Sequence, residues 1–370
     1  MNSRKTPIKI VIATPNSGGP ATYAKLLFEK LPLFGYEVGV VDFGDVLKYP
    51  KLIRHIIYFF KLLRKARKAD IVYAQDPVSV GLPAILAAKI AGKRFFLKVV
   101  GDYAWEQGTQ RFGVKDSLNN FVVKSDYPFM VKILRYVERL VARKAEKIIV
   151  PSNYLKGIVE KWGITENKIE VIHNAFVKPE IPESKEDLRK KLNWDFPVII
   201  SVGRLVPWKN FDVLIDAASV VLKNIPDAKF FIIGDGPERG ILEKKIVGEK
   251  LSESVSLLGH MPQKDLYKYI KAADIFALIS SYEGFSHLLI EAMSLGAPIV
   301  TTAVGGNVEV IKDKKNGIFV PKGYIKEISK AIVEILHNKS LADSLSKEAK
   351  SSVEVFSEDK MLQKLTLILR

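Results

Sequence analysis

The 370-residue chain contains no cysteine, which rules out disulfides and thiolate metal sites. Its five histidines, at 55, 173, 260, 287 and 337, are scattered. Neither His-x-His nor His-Glu-x-x-His spacing occurs, so no histidine-based metal motif is present. Asp-x-Asp is missing too, and with it that means of chelating a divalent ion against a diphosphate. No apolar run reaches the roughly 18 residues of a membrane-crossing helix. The apolar start, Ile8 to Ala13, is short and leads into Thr-Pro-Asn-Ser-Gly-Gly, which reads as a first strand and its loop, not a signal peptide. A cytoplasmic location fits. Acid is scarce in one half only: residues 1–170 hold 29 Lys/Arg against 15 Asp/Glu, whereas 171–370 hold 28 against 26.

What is present is an alternation. Short β-branched runs alternate with helical patterns throughout, which implies βαβ units and parallel sheets. The first series of predicted strands is Ile8–Ala13, Val38–Val41, Ile71–Ala74, Phe95–Val100, Ile148–Val150 and Ile169–Ile172. The second is Val198–Val202, Phe230–Ile233, Val255–Leu257, Ile275–Leu278, Ile299–Thr301 and Gly317–Val320. Between the series, residues 176–196 contain Lys-Pro-Glu-Ile-Pro-Glu-Ser and a polar helical piece, the pattern of a linker. The fold class expected is therefore α/β. Two Rossmann-like domains, 1–175 and 197–352, would face a central cleft, and a last helix, about 353–370, would return to the first.

The stretch Ser281 to Pro298 places Glu283 in the loop leaving a strand and Glu291 inside the helix that follows. Open parallel sheets bind ligands beyond the carboxyl ends of their strands. Backbone N–H groups at Gly284, Phe285 and Ser286 would suit a phosphate or sugar oxygen there, and the carboxylates would accept bonds from hydroxyls. Upstream, Gly203-Arg204 and Lys209 lie between a strand and the next helix. A planar fork of donors beside a movable cation suits phosphate oxygens better than a merely solvated loop would need. Gly18-Gly19 precedes a helix and fits either phosphate binding or turn geometry. Gly234-Asp-Gly236 lacks the third glycine of a dinucleotide fingerprint, since position 239 is Arg, so a nicotinamide cofactor is not expected. It fits a turn near a base or a structural turn. His287 reads as packed or solvated. Asp102, directly after the fourth strand, reads as functional, while a ligand contact and a packed surface loop remain equal readings for Trp105 and Glu106.

In order along the chain, Gly18-Gly19, Val202-Gly203-Arg204 with Lys209, Gly234-Asp235-Gly236-Pro237, Leu258-Gly259-His260, Glu283-Gly284-Phe285 to Glu291-Ala292, and Gly305-Gly306 with Glu309 resemble the retaining glycosyltransferases of the GT-B fold, in the family four group. The resemblance covers almost the whole chain. It implies a nucleotide-sugar donor whose diphosphate Arg204 and Lys209 hold and whose ribose Glu291 binds. Glu283, with the backbone of Gly284, Phe285 and Ser286, would grip the sugar, and Leu288 would join that donor site. Gly203, Gly236, His260 and Met261 would shape the donor pocket, and the Gly18-Gly19 loop would close on the diphosphate. The family's histidine after the fourth strand is replaced by Asp102, which would take over its role. No metal and no cofactor are implied, and the acceptor would attack from the face the diphosphate leaves, retaining configuration. A GT-B sugar-nucleotide epimerase and a silent nucleotide-sugar binding module remain alternatives.

Residues 47–68 carry eight Lys/Arg and no acid, with Leu52, Ile56, Phe59, Phe60 and Leu63 at helical spacing. This predicts a basic amphipathic helix resting on an anionic membrane beside a saccharide or lipid-linked acceptor. The competing reading packs its apolar stripe on the sheet. No nucleic-acid motif accompanies the charge, so nucleic acid is not expected. The functions implied are polysaccharide or glycolipid synthesis at the inner membrane face.

Overall fold

The computed structural model describes residues 6–16 and 18–370, the side chains of 51 and 52 excepted. Leu52, counted above in the apolar stripe, and Ser17 of the Gly18-Gly19 loop thus lie outside the described side chains and residues. The chain forms two compact units. One comprises the N-terminal residues to His173 plus Asp359–Arg370, and the other Asn174–Glu358.

The first unit is a six-stranded parallel sheet in the order β2-β1-β3-β4-β5-β6. Its strands are β1 (Ile8–Thr14), β2 (Tyr36–Asp42), β3 (Ile71–Ala74), β4 (Arg94–Lys98), β5 (Lys147–Val150) and β6 (Ile169–Val171). The β3 strand is buried at every position, as expected where helices cover both faces. The helices are α1 (Gly18–Lys30), α2 (Lys51–Ala66), α3 (Gly81–Ala91), α4 (Tyr103–Arg111), α5 (Leu118–Phe121), α6 (Phe129–Lys144) and α7 (Asn153–Lys161).

The second sheet runs β12-β11-β10-β7-β8-β9: β7 (Val198–Val202), β8 (Lys229–Ile233), β9 (Val255–Gly259), β10 (Ile275–Leu278), β11 (Ile299–Thr302) and β12 (Ile318–Val320). Its helices are α8 (Lys185–Leu192), α9 (Phe211–Val221), α10 (Arg239–Gly248), α11 (Gln263–Ala272), α12 (His287–Leu295), α13 (Asn307–Val310), α14 (Ile325–His337) and α15 (Lys339–Ser352). The order reverses at β7, so β7 and β10 are neighbours although their loops are far apart in sequence. Such a reversal opens the loops after both strands and makes a crevice for a ligand.

One of the two connecting segments differs from its expected role, and the other follows it. The expected linker packs on the second unit, because Leu188 and Trp194 are buried with Ile200 and Phe276, and Phe176 and Ile181 lie against the same cluster. The last helix, α16 (Glu358–Leu369), packs on the first unit. There the Tyr23 hydroxyl donates to Met361 Sδ at 3.5 Å, and Arg94 donates to the Leu369 carbonyl at 3.2 Å.

Candidate active site

In the second unit the loops after β7, β8, β10 and β11 are tied together by backbone. The loop after β8 lies directly on the loop after β7: Leu205 N–H donates to the Asp235 carbonyl at 3.0 Å, and Glu238 N–H to the Leu205 carbonyl at 3.1 Å. A Cβ on Gly236 would land on the Leu205 backbone, so only glycine allows this approach. The loops after β10 and β11 meet in the same way. Gly306 N–H donates to the Glu283 carbonyl at 2.9 Å, and a Cβ on Gly305 would strike that carbonyl. Ser281 N–H reaches the Trp208 carbonyl at 2.7 Å, joining the β10 loop to the β7 loop.

This knitting fixes two charged groups against each other. Lys209 Nζ stands 2.6 Å from Glu283 Oε1, both side chains largely buried, and Ser280 Oγ donates to the same oxygen at 2.6 Å. The charge-assisted bonds compensate for removing the carboxylate from water. Arg204 is exposed on the β7 loop, and no ion pair holds it among the described residues. The pair and the free guanidinium therefore stand on loops that the backbone holds together at the carboxyl ends of β7 and β10.

Ser286 caps α12, its hydroxyl accepting from Leu289 N–H at 3.3 Å. The helix begins at His287, so its first turn starts after the Gly284–Ser286 stretch that sequence alone offers as the anion nest. Phe285 is buried against Phe356, ring centroids 5.6 Å apart. Glu291 lies in the second turn of α12. Burial drives its carboxyl up to about 7, and the Tyr267 hydroxyl, donating to Oε1 at 2.9 Å, pulls it partly back. Gln263 Nε2 in turn donates to the Tyr267 oxygen at 2.5 Å. Gln263 opens α11 just after His260 and Met261, and Met261, Tyr267 and Leu288 all lie against the same buried cluster. Ser280, Tyr267 and Gln263 escape sequence reasoning. Tyr267 is 24 residues from its partner, and no local spacing announces such a pair.

In the first unit, Gly18 opens α1 with φ 78°, and a side chain on Gly19 would meet open space. Asp102 is 2% exposed and caps α4. Its Oδ1 accepts from Trp105 N–H at 2.8 Å and its Oδ2 from Trp162 Nε1 at 3.1 Å. Burial raises its carboxyl to about 6. Glu138, also buried, accepts from Ala104 N–H at 3.0 Å. Both carboxyls thus hold the start of α4, and Asp102 is a helix cap that positions the loop after β4. Among the described residues, no three His, Asp or Glu side chains gather into a metal site, and no helix is long and apolar enough to cross a membrane.

Comparison with known proteins agrees with this geometry. Residues 184–352 match the model of the glycosyl transferases group 1, and residues 4–176 that of glycosyltransferase family 4. The chain is 28% identical over 385 residues to the UDP-Gal:alpha-D-GlcNAc-diphosphoundecaprenol alpha-1,3-galactosyltransferase of Escherichia coli, covering 95% of this chain and 94% of that enzyme. It is 24% identical over 382 residues to the alpha-monoglucosyldiacylglycerol synthase of Acholeplasma laidlawii, covering 93% and 91%. Among solved structures, Anabaena HepE in complex with UDP-glucose superposes with a TM-score of 0.80 at 21% identity, covering 98% of this chain and 99% of that one. A sucrose-phosphate synthase from Thermosynechococcus elongatus superposes with 0.77 at 18% identity, covering 98% of both.

Proposed function

The chain belongs to the GT-B glycosyltransferases, and from that premise we propose that it is a retaining, metal-independent enzyme. It moves a sugar from a nucleotide donor to a lipid-linked or saccharide acceptor during cell-envelope polysaccharide or glycolipid synthesis. The observation that carries this reading is the Lys209–Glu283 pair at 2.6 Å, held beside Arg204 at the carboxyl ends of β7 and β10. Departure of the sugar leaves negative charge on the diphosphate. Arg204, Lys209 and the N-terminus of α12 would stabilise that charge in place, a service worth several kcal/mol where the donors are already fixed. Such fixed cations, in a sequence without Asp-x-Asp, favour catalysis without a divalent ion.

Glu283 would accept from the hydroxyls of the transferred sugar and Glu291 from those of the ribose. The backbone of Gly203, Gly236 and Gly284–Ser286, with His260, Met261 and Leu288, would shape the donor pocket. In the first unit, Gly18 and Gly19 would serve the donor diphosphate, and Asp102 would position the acceptor-side loop. A uridine donor is supported by the names of two similar proteins, one named for UDP-Gal and one holding UDP-glucose. Lipid acceptors are supported by relatives named for a diphosphoundecaprenol and a diacylglycerol substrate. The exposed basic helix within 47–68 supports peripheral contact with the inner membrane face.

The test is transfer in EDTA from UDP-sugars to an undecaprenyl-diphosphate-linked sugar and to diacylglycerol, with the product anomer read by NMR. An α-linked product from an α-linked donor, lost in Glu283→Ala, supports the reading. A β-linked product, or dependence on added metal, overturns its mechanistic part. Epimerised donor released without any acceptor would instead favour the epimerase.

A further inference from the structure

Three helices of the first unit form one outer layer. The connections β2–α2–β3, β3–α3–β4 and β4–α6–β5 all advance the same way through the sheet order, and right-handed crossovers then place all three helices on one face. They pack side by side, α2 on α3 and α3 on α6. Each buries one side and leaves large apolar residues on the other.

In α2 the buried side is Tyr58, Leu62 and Ala66, while Ile53, Ile56 and Phe60 point away, Phe60 60% exposed. Of the stripe expected from the sequence, Leu63 is buried and Phe59 half-buried, as the packing reading has it, whereas Ile56 and Phe60 stay outside with Ile53. In α3, Ala84, Ala87 and Ala88 face in, and Leu86 and Ile90 face out. In α6, Val131, Glu138 and Ala142 face in, whereas Phe129, Ile133 and Tyr136, spaced four and three apart, form an outward row, Phe129 76% exposed. Exposed rows on three successive helices are more than a monomer's scattered surface apolar residues.

The charge pattern names the occupant. Glu138 is the only carboxyl in the three helices, and it is buried. Neighbouring loops bring Asp45 to Lys61 and Asp126 to Lys132. Arg64, Lys89, Arg143 and Lys144 stay exposed and, among the described residues, unpaired. A second copy docking by a two-fold axis would set these cations against each other. Phe60, Phe129 and Tyr136 would offer bases a ring to stack on, but the aliphatic Ile53, Ile56, Leu86, Ile90 and Ile133 share the same surface, and no nucleic-acid motif accompanies the charge. Apolar rows bordered by cations instead match the acyl and headgroup levels of an anionic bilayer.

We propose that the outward faces of α2, α3 and α6 form a single docking plane for an anionic lipid bilayer, with the Phe129–Ile133–Tyr136 row as a second anchor beside α2. This rests on the membrane contact proposed for residues 47–68 and extends it to α3 and α6.

The test is co-sedimentation of the full chain with vesicles of phosphatidylcholine, or of an equal mixture with phosphatidylglycerol. Two triple variants are compared, Ile53→Ser/Ile56→Ser/Phe60→Ser on α2 and Phe129→Ser/Ile133→Ser/Tyr136→Ser on α6. All six positions are exposed, so the melting temperature and the binding of UDP, a second-unit readout, should stay unchanged and show each variant to be folded. The expected result is tighter binding to the anionic vesicles, weakened on the order of tenfold or more in each variant. Loss in the α2 variant alone would overturn the single plane while leaving the 47–68 contact standing. No binding by the unaltered chain would overturn both, and so would self-association that the α6 variant abolishes without any vesicle binding.

Discussion

The two units differ in how completely they pair buried polar groups at their strand ends, although the first does partner both oxygens of Asp102. In the second, Lys209 has Glu283, Glu283 also has Ser280, and Glu291 has Tyr267. In the first, Lys98 at the end of β4 is 1% exposed, its ammonium has no hydrogen-bond partner, and its nearest compensation is the Tyr23 ring 3.5 Å away. Both amide atoms of Gln75, at the end of β3, and one oxygen of Glu138 are likewise unpartnered. Pairing offsets much of the cost of taking charges out of water and fixes their positions. Unpaired ones lower stability and shift protonation. The comparison teaches that the second unit, where the donor site is proposed, fixes its charges with partners, while the first keeps several polar groups whose demands its own fold does not meet.

The largest effect should come from breaking the pairing. Lys209→Ala leaves Glu283 buried without its cation and removes charge from the departing diphosphate. Transfer should fall on the order of 10²–10³-fold, measured with labelled donor. Next, Gly236→Ala forces a methyl onto the Leu205 backbone and should destabilise the second unit by about 2–4 kcal/mol, read by denaturant melts, with weaker donor binding.

The first unit answers through pH. Burial lowers the Lys98 ammonium from 10.5 to about 7. Above 10.5 the residue is neutral whether the chain is folded or not, and no penalty exists. As pH falls toward 7 the unfolded chain takes up the proton first, and stability declines; below 7 the penalty is complete. Lys98→Met should therefore remove a pH slope between about 7 and 10.5 and stabilise the protein at pH 7 by a few kcal/mol, seen in melting curves across that range.

The smallest effect refines the second unit. Tyr267→Phe takes a bond from the Glu291 carboxylate, so its pKa, already about 7, should rise further. Ribose binding needs the ionised form. Donor affinity at pH 7 should fall about 5–10-fold, and most of that loss should disappear at higher pH. An equal loss at every pH would mean that Tyr267 acts through packing alone.

Much of this was legible in the residues because it is local. The twelve strands follow from β-branched runs, and Glu283, Arg204 and Lys209 stand directly after them. What was not legible depends on distant partners. The Tyr267–Glu291 bond joins two helices, and nothing near either residue signals the other. The Pro-rich stretch at 176–196 reads as a linker because its turns are obvious, while the burial of Leu188 and Trp194 depends on β7, β8 and α11. Asp102 carries a second signal beside its functional reading, since an Asp directly before a helix is a cap pattern, while the bond of its other oxygen to Trp162, 60 residues away, has no local sign. The outward row on α6 has helical spacing in plain view, yet only the structure tells which side of that helix faces out.

The most direct test of the central claim, that the second unit holds a nucleoside diphosphate without metal, is calorimetric titration of the full chain with UDP, GDP and ADP in EDTA, repeated with Glu291→Ala. Saturable binding of one diphosphate, weakened in the variant, is the expected result. No binding of any of the three, or binding untouched by Glu291→Ala, would contradict the donor site described here.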